Sequence, residues 1–119
     1  MPIKTASAKA KGRRLQQWVR DRILETFPSL KSDDVTSTGM GQNGEDVRLA
    51  SAARELFPYS TECKSQKRIA VYGFYDQAKD NCPTGVEPLV IIKADRRPPL
   101  ALIDAEHFFK LISRVRNER

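Results

Sequence analysis

Between Arg13 and Phe27 the apolar residues Leu15, Trp18, Val19, Ile23 and Phe27 recur every three or four positions, the spacing that gathers side chains on one helix face. Gln16, Gln17, Arg20, Asp21 and Glu25 fall elsewhere around that helix, and Pro28 is compatible with an end just before it. Trp18 is on the apolar stripe and reads as core. Residues 1–10 hold Lys, Ala, Ser and Thr without a period and read as a flexible basic arm, followed by one domain over 11–119.

After Pro28 the period changes. Val35-Thr-Ser-Thr38 is a short β-branched run leading into Gly39, Gly41 and Gly44, a flexible loop. Residues 46–50 alternate, with Val47 and Leu49 opposite Asp46 and Arg48, and residues 59–65 alternate again. Between them, 51–58 is a connector with room for one helical turn. Residues 69–78 fit a strand through Ile69, Val71 and Tyr75, or a helix through Val71, Phe74, Tyr75 and Ala78. The pattern runs on to Lys79, which favours the helix. Residues 81–85 read as a loop, 88–94 as a buried strand and 99–105 as another. Asp104 can cap a last helix striped by Phe108, Leu111, Ile112 and Val115. This order predicts an α/β domain in which helices flank a central mixed β-sheet.

A chain of 119 residues, 39% apolar and 30% charged, has room for one modest core. Two cysteines are too few for a secreted disulfide scaffold, so a reducing cytoplasm is the expected compartment. The start carries no apolar stretch after its charges, as a secretory signal would, and no run approaches the roughly 18 apolar residues of a membrane span. The net charge of +6 is uneven. Between Lys4 and Arg22 lie seven Lys or Arg residues against one acid, Asp21, and the end adds Lys110, Arg114, Arg116 and Arg119. Such patches favour polyanions. Basic ends on an unrelated soluble protein would look the same, so charge informs only beside a chemical site.

The candidate site is Glu62-Cys63-Lys64. Side chains two apart on a strand share a face about 6.5–7 Å apart, so Glu62 and Lys64 point together. Cys63 shares the opposite parity with Tyr59 and Thr61 and reads as a small buried hydrophobe. Asp46 is opposite Val47 and Leu49. If both strands bury their apolar faces against one layer, Asp46 and Glu62 emerge together on strands about 4.8 Å apart. Two carboxylates so placed suit a hard cation such as Mg²⁺, with Lys64 placed to stabilise charge on a phosphate. On spacing alone, a solvated ion pair is the commoner use of Glu-x-Lys on a strand.

"GED" at 44–46 followed by "ECK" at 62–64 resembles the bipartite signature of the PD-(D/E)XK nuclease superfamily, whose core is restriction-endonuclease-like. "KGRRLQQWV" resembles the first helix of archaeal and phage Holliday-junction resolvase-like members, "VTSTGMGQNGED" the segment before their acid, and "ECKSQ" with "PLVIIKAD" the rest of their core. The resemblance spans residues 11–112 loosely, with strong motifs only at 44–66. It implies Asp46, Glu62 and the Cys63 carbonyl as ligands of Mg²⁺, for which Mn²⁺ substitutes, and Lys64 as the catalytic lysine. The chain departs from the family in two places. Glu45 stands where the family name has proline, and either substitutes as a ligand or, the favoured reading, faces solvent. Gln16 or Gln17 stands where archaeal resolvases carry a first-helix glutamate, and Gln16 is kept as a catalytic candidate. A second metal is therefore in doubt.

The function implied is a Mg²⁺-dependent, structure-selective DNA endonuclease, a Holliday-junction resolvase acting as a homodimer in the cytoplasm of a prokaryotic or phage-infected cell. The products would be 5′-phosphate and 3′-hydroxyl ends. Lys11, Arg13, Arg14, Gln66 and Lys93 are the DNA-contact candidates. Gln77 either faces the site or does not. His107 has no second histidine to support zinc or general-base chemistry, and no Gly-Lys-Ser/Thr follows the glycines as in a P-loop. Two rivals are a nuclease of the same chemistry on nicked, flapped or duplex DNA, and a DNA-binding module whose acids are structural.

Overall fold

The computed structural model describes residues 6–38 and 44–117. Leu15, Val19 and Ile23 stack at four-residue intervals on α1 (Ala6–Thr26) and are all buried. That stripe packs on a hairpin of β1 (Val35–Ser37) and β2 (Val47–Leu49), antiparallel with Val35 opposite Leu49 and Ser37 opposite Val47. Polar bonds fix the hairpin to the helix: Arg20 donates to the carbonyls of Val35 (2.8 Å) and Ser32 (3.0 Å), and Gln17 to Ser37 Oγ (2.9 Å).

After the short helix α2 (Ser51–Leu56) comes β3 (Tyr59–Gln66), then α3 (Val71–Asp80), then β4 (Glu87–Ala94), parallel to β3 with Cys63 opposite Ile91 and Ser65 opposite Lys93. β5 (Leu100–Leu102) adds antiparallel to β4, and α4 (Ala105–Asn117) ends the described chain. The expected α/β class with a mixed sheet between helices is what the chain adopts. The hairpin and the three-stranded sheet β3-β4-β5 are bridged by the Asp46 amide, which donates to the Thr61 carbonyl at 2.8 Å. Alternation along β3 and β4 sends Cys63, Leu89 and Ile91 to the α1 side, where they join Leu15, Val19, Val35 and Val47 in one core. Val90 points the other way, where α3 supplies the fully buried Ala78.

Three local readings change. Ala6–Ala10, expected in an aperiodic arm, are the first turns of α1, because Ala and Lys are good helix formers even without an apolar stripe. Residues 1–5 of that arm, and 39–43 of the glycine loop, lie outside the described residues. Trp18, expected in the core, is 44% exposed, since the sheet is narrow and meets only the Leu15-Val19-Ile23 edge of the helix. Asp104 caps α4 as expected, accepting from the His107 amide at 2.9 Å. The apolar stripe of α4, however, is largely uncovered, with Phe108, Phe109, Ile112 and Val115 all exposed. No helix among the described residues is long and apolar enough to cross a membrane.

Candidate functional site

Asp46 sits where the chain leaves the glycine loop and enters β2. Gly44 has φ +93°, a left-handed conformation that glycine adopts without strain, and two residues later the Asp46 amide joins β3. This seating turns the Asp46 carboxylate back over the strand, where Oδ2 accepts the Cys63 amide at 2.7 Å. In an extended strand the N–H and C=O of one residue point the same way, so the Cys63 carbonyl also faces this edge. The Cys63 side chain lies on the opposite, core side. Burial, with the charges of Asp46 and Glu62 adding to it, pushes its thiol well above the usual range. It is packing, not a nucleophile.

Glu62 occupies the middle of β3 and is only 2% exposed, roofed by the end of α3. Asn81, at the C-terminal cap of that helix, donates to Glu62 Oε1 at 2.9 Å. Glu62 also lies within hydrogen-bonding reach of the Asp46 carboxylate, and its pKa rises to about 7. Burial is the main cause; the Asn81 bond opposes it, Asp46 adds to it, and Lys64 opposes it. Two carboxylates in contact in a dry setting share a proton in the neutral range unless a cation replaces it. That donor set, with a backbone oxygen on the same edge, fits a hard divalent ion. Among the described residues no cluster of three or more Asp, Glu, His or Cys side chains accompanies it.

Lys64 shares the Glu62 face, and its ammonium lies 5.2 Å from the Phe74 ring centroid on α3. It forms no ion pair with either carboxylate among the described residues. Lys64 and Asp46 are both half-exposed and give access to the buried Glu62. A groove of 330 Å³ opens on the other flank between Gly44, Arg48, Arg54 and Asn81.

The remaining candidates divide. Gln16 is buried on α1 and shares an edge with Arg20, at the seam with the hairpin; it donates no hydrogen bond to Asp46 or Glu62 among the described residues. Gln17 is committed to Ser37. Glu45 does not face solvent. It is 8% exposed and both its oxygens accept from Arg54 Nη2, at 2.8 and 2.7 Å, so it neutralises a structural arginine that also bonds the Tyr59 carbonyl. Gln77 is exposed, and Asn81, one turn later, takes the place beside Glu62. The sequence alone does not single out Asn81, which reads as the start of a loop. A cap asparagine following a helix that covers the acid was the available signal.

Of the DNA-contact candidates, Lys11, Arg14 and Lys93 come together around one cleft, joined by Arg96. Arg13 lines a shallower neighbouring groove with Trp18, and Gln66 lies at the end of β3 on the Glu62 face. His107 is structural: its Nε2 bonds the Tyr59 hydroxyl at 2.7 Å and holds α4 to the start of β3. Compared with the profiles of known families, with curated proteins and with solved structures, the chain matches none.

Proposed function

We propose that the chain is a metal-dependent endonuclease of the PD-(D/E)XK type, acting on branched DNA. The observation that carries this reading is the contact of Asp46 with Glu62 beside the Cys63 backbone, with Lys64 on the same strand face. Asp46, Glu62 and the Cys63 carbonyl are the groups that would hold Mg²⁺ or Mn²⁺. When bound, such an ion supplies positive charge that acidifies a water and offsets charge growing on a phosphate.

The chain's own residues have separable tasks. The Cys63 amide fixes the Asp46 rotamer, and Asn81 fixes Glu62. Lys64, flexible on its four-carbon stem over Phe74, can bring its ammonium to a scissile phosphate and stabilise the extra charge of the pentacovalent state. Burial of Glu62 keeps the site dry and strengthens each of these interactions.

A homodimer would supply the two sites that paired cuts need. The uncovered face of α4 suits a second copy. Four half-exposed apolar side chains there, each carrying roughly 150–200 Å², would contribute several hundred Å² of the ~800 Å² per partner that stable dimers bury. Glu106 near one end of α4 and Arg114 and Arg116 near the other are complementary when two copies of the helix lie antiparallel about a two-fold axis.

The two-carboxylate donor set, without a third acid among the described residues, is what favours the rival reading of a binding module with structural acids. A four-way junction and a linear duplex of matching sequence, each incubated with Mg²⁺, separate the readings. Paired cuts in the junction alone support a resolvase, and equal cutting of the duplex supports a nuclease of other specificity. Binding with no cleavage of either would leave the module.

A further inference from the structure

Trp18 is the chain's single tryptophan, and the fold leaves it at the rim of a cleft rather than in the core. The cleft, 520 Å³ in volume, lies between the N-terminal half of α1 and the ends of β3 and β4. That is the range of pockets that hold ligands of drug or nucleotide size. Lys11 and Arg14 enter it from α1, and Lys93 and Arg96 from β4 and the turn after it; the one acid is Asp95, held by Lys11 at 2.9 Å. Among the described residues Arg14, Lys93 and Arg96 form no ion pair.

Gathering these cations costs repulsion, and one of them costs backbone strain. Arg96 has φ +63°, a left-handed conformation that disfavours a residue with a Cβ. The turn thus holds a guanidinium at the cleft where glycine would be more comfortable. The guanidinium of Arg22, one turn on, lies over one face of the Trp18 indole, 6.0 Å from the ring centroid. An anion alone would need no aromatic wall, and an apolar ligand would need no cations. A ring beside several cations matches a nucleotide. The base must be unpaired, because a duplex keeps its base faces covered.

We propose that this cleft holds one unpaired nucleotide of a DNA strand, with its base against Trp18 and its phosphates against Arg14, Lys93 and Arg96. The proposal rests on the reading of the chain as a DNA enzyme and adds a preference for DNA with single-stranded or unstacked bases. Ser65, which lines the cleft, follows Lys64 directly and points to the other sheet face. Glu62 is therefore about 10 Å away along β3, and the route between the two sites rounds the strand end at Gln66.

Trp18 is itself the reporter. The full-length protein in EDTA is titrated with an oligothymidylate of about ten nucleotides, with an abasic strand of equal length, and with duplex, reading tryptophan emission and the anisotropy of a labelled strand. The expected result is quenching by the oligothymidylate alone, and binding at least about fivefold tighter than to the abasic strand. Trp18→Ala should lose that advantage. Arg96→Gly, which relieves the turn and so folds at least as well, should weaken binding to both strands and lower the log–log salt slope by about 0.7. Equal binding of base-bearing and abasic strands with unchanged emission overturns the cleft proposal while leaving the DNA reading intact. No binding to these strands, to duplex or to a four-way junction overturns both.

Discussion

Replacing Glu62 with Gln removes one charge from a buried pair while keeping its shape and an oxygen for Asn81 to donate to. The magnitude follows from the pKa of about 7 in the fold against an ordinary 4.5. Below about pH 4.5 both folded and unfolded chains carry the proton, and nothing is lost. Between 4.5 and 7 the folded chain retains a proton that the unfolded chain releases, so stability falls as pH rises, levelling off above 7. At about 1.4 kcal/mol per pH unit, ionised Glu62 costs the fold about 1 kcal/mol at pH 5 and about 3 kcal/mol at pH 8. Glu62→Gln should therefore be more stable than the wild type in EDTA, by those amounts, when unfolded with urea at the two pH values. Added Mg²⁺ should reverse the order at pH 8. The wild type gains about 4.1 kcal/mol when the ion is at a thousand times its Kd, more than its deficit of about 3 kcal/mol, and the variant, lacking a ligand, gains little. An equal stability difference at pH 5 and pH 8 would refute the argument, because it would mean that ionising Glu62 in its buried place beside Asp46 carries no electrostatic cost.

Other expectations follow from single contacts. Arg54→Ala strips the partner from buried Glu45 and should destabilise the protein by about 2–4 kcal/mol; the double variant with Glu45→Gln should recover part of that in urea titrations. Gly44→Ala meets no atom but forces φ +93° on a residue with a Cβ, and should cost about 1 kcal/mol by the same assay. Ile112→Glu, on the exposed face of α4, should leave thermal stability of the monomer within about 0.5 kcal/mol and halve the mass measured by light scattering.

Much of the fold was legible because local pattern and tertiary packing agree. The stripe of Leu15, Val19 and Ile23, the alternation of β3 and the run through β4 each bury the faces their periods mark. The ambiguous stretch from Val71 is a helix because α3 must cross over between two parallel strands. The pairing of Asp46 with Glu62 was legible from parity together with the premise that both strands bury their apolar faces against one layer, as Val47 and Cys63 do. What it could not show is depth. Glu62 was expected to emerge on an open polar face and is instead roofed by α3 and Asn81, a contact between residues far apart in sequence. Glu45 and Trp18 failed for related reasons. An acid beside a loop looks solvated until Arg54 folds back on it, and a tryptophan on an apolar stripe looks buried until the sheet proves too narrow to cover it. α4 carries a clear apolar stripe that the other described residues leave largely exposed, and this is the face assigned to the proposed dimer.

The most direct test of the central claim is single-turnover cleavage of a labelled four-way junction by the wild type and by Asp46→Asn, each in Mg²⁺ and in EDTA. Strand cuts with 5′-phosphate ends are expected for the wild type in Mg²⁺ only, with a rate at least a hundredfold lower for the variant at unchanged junction affinity, which is about 2.7 kcal/mol of barrier. Cleavage that persists in EDTA, or that Asp46→Asn performs as fast as the wild type, would contradict that claim.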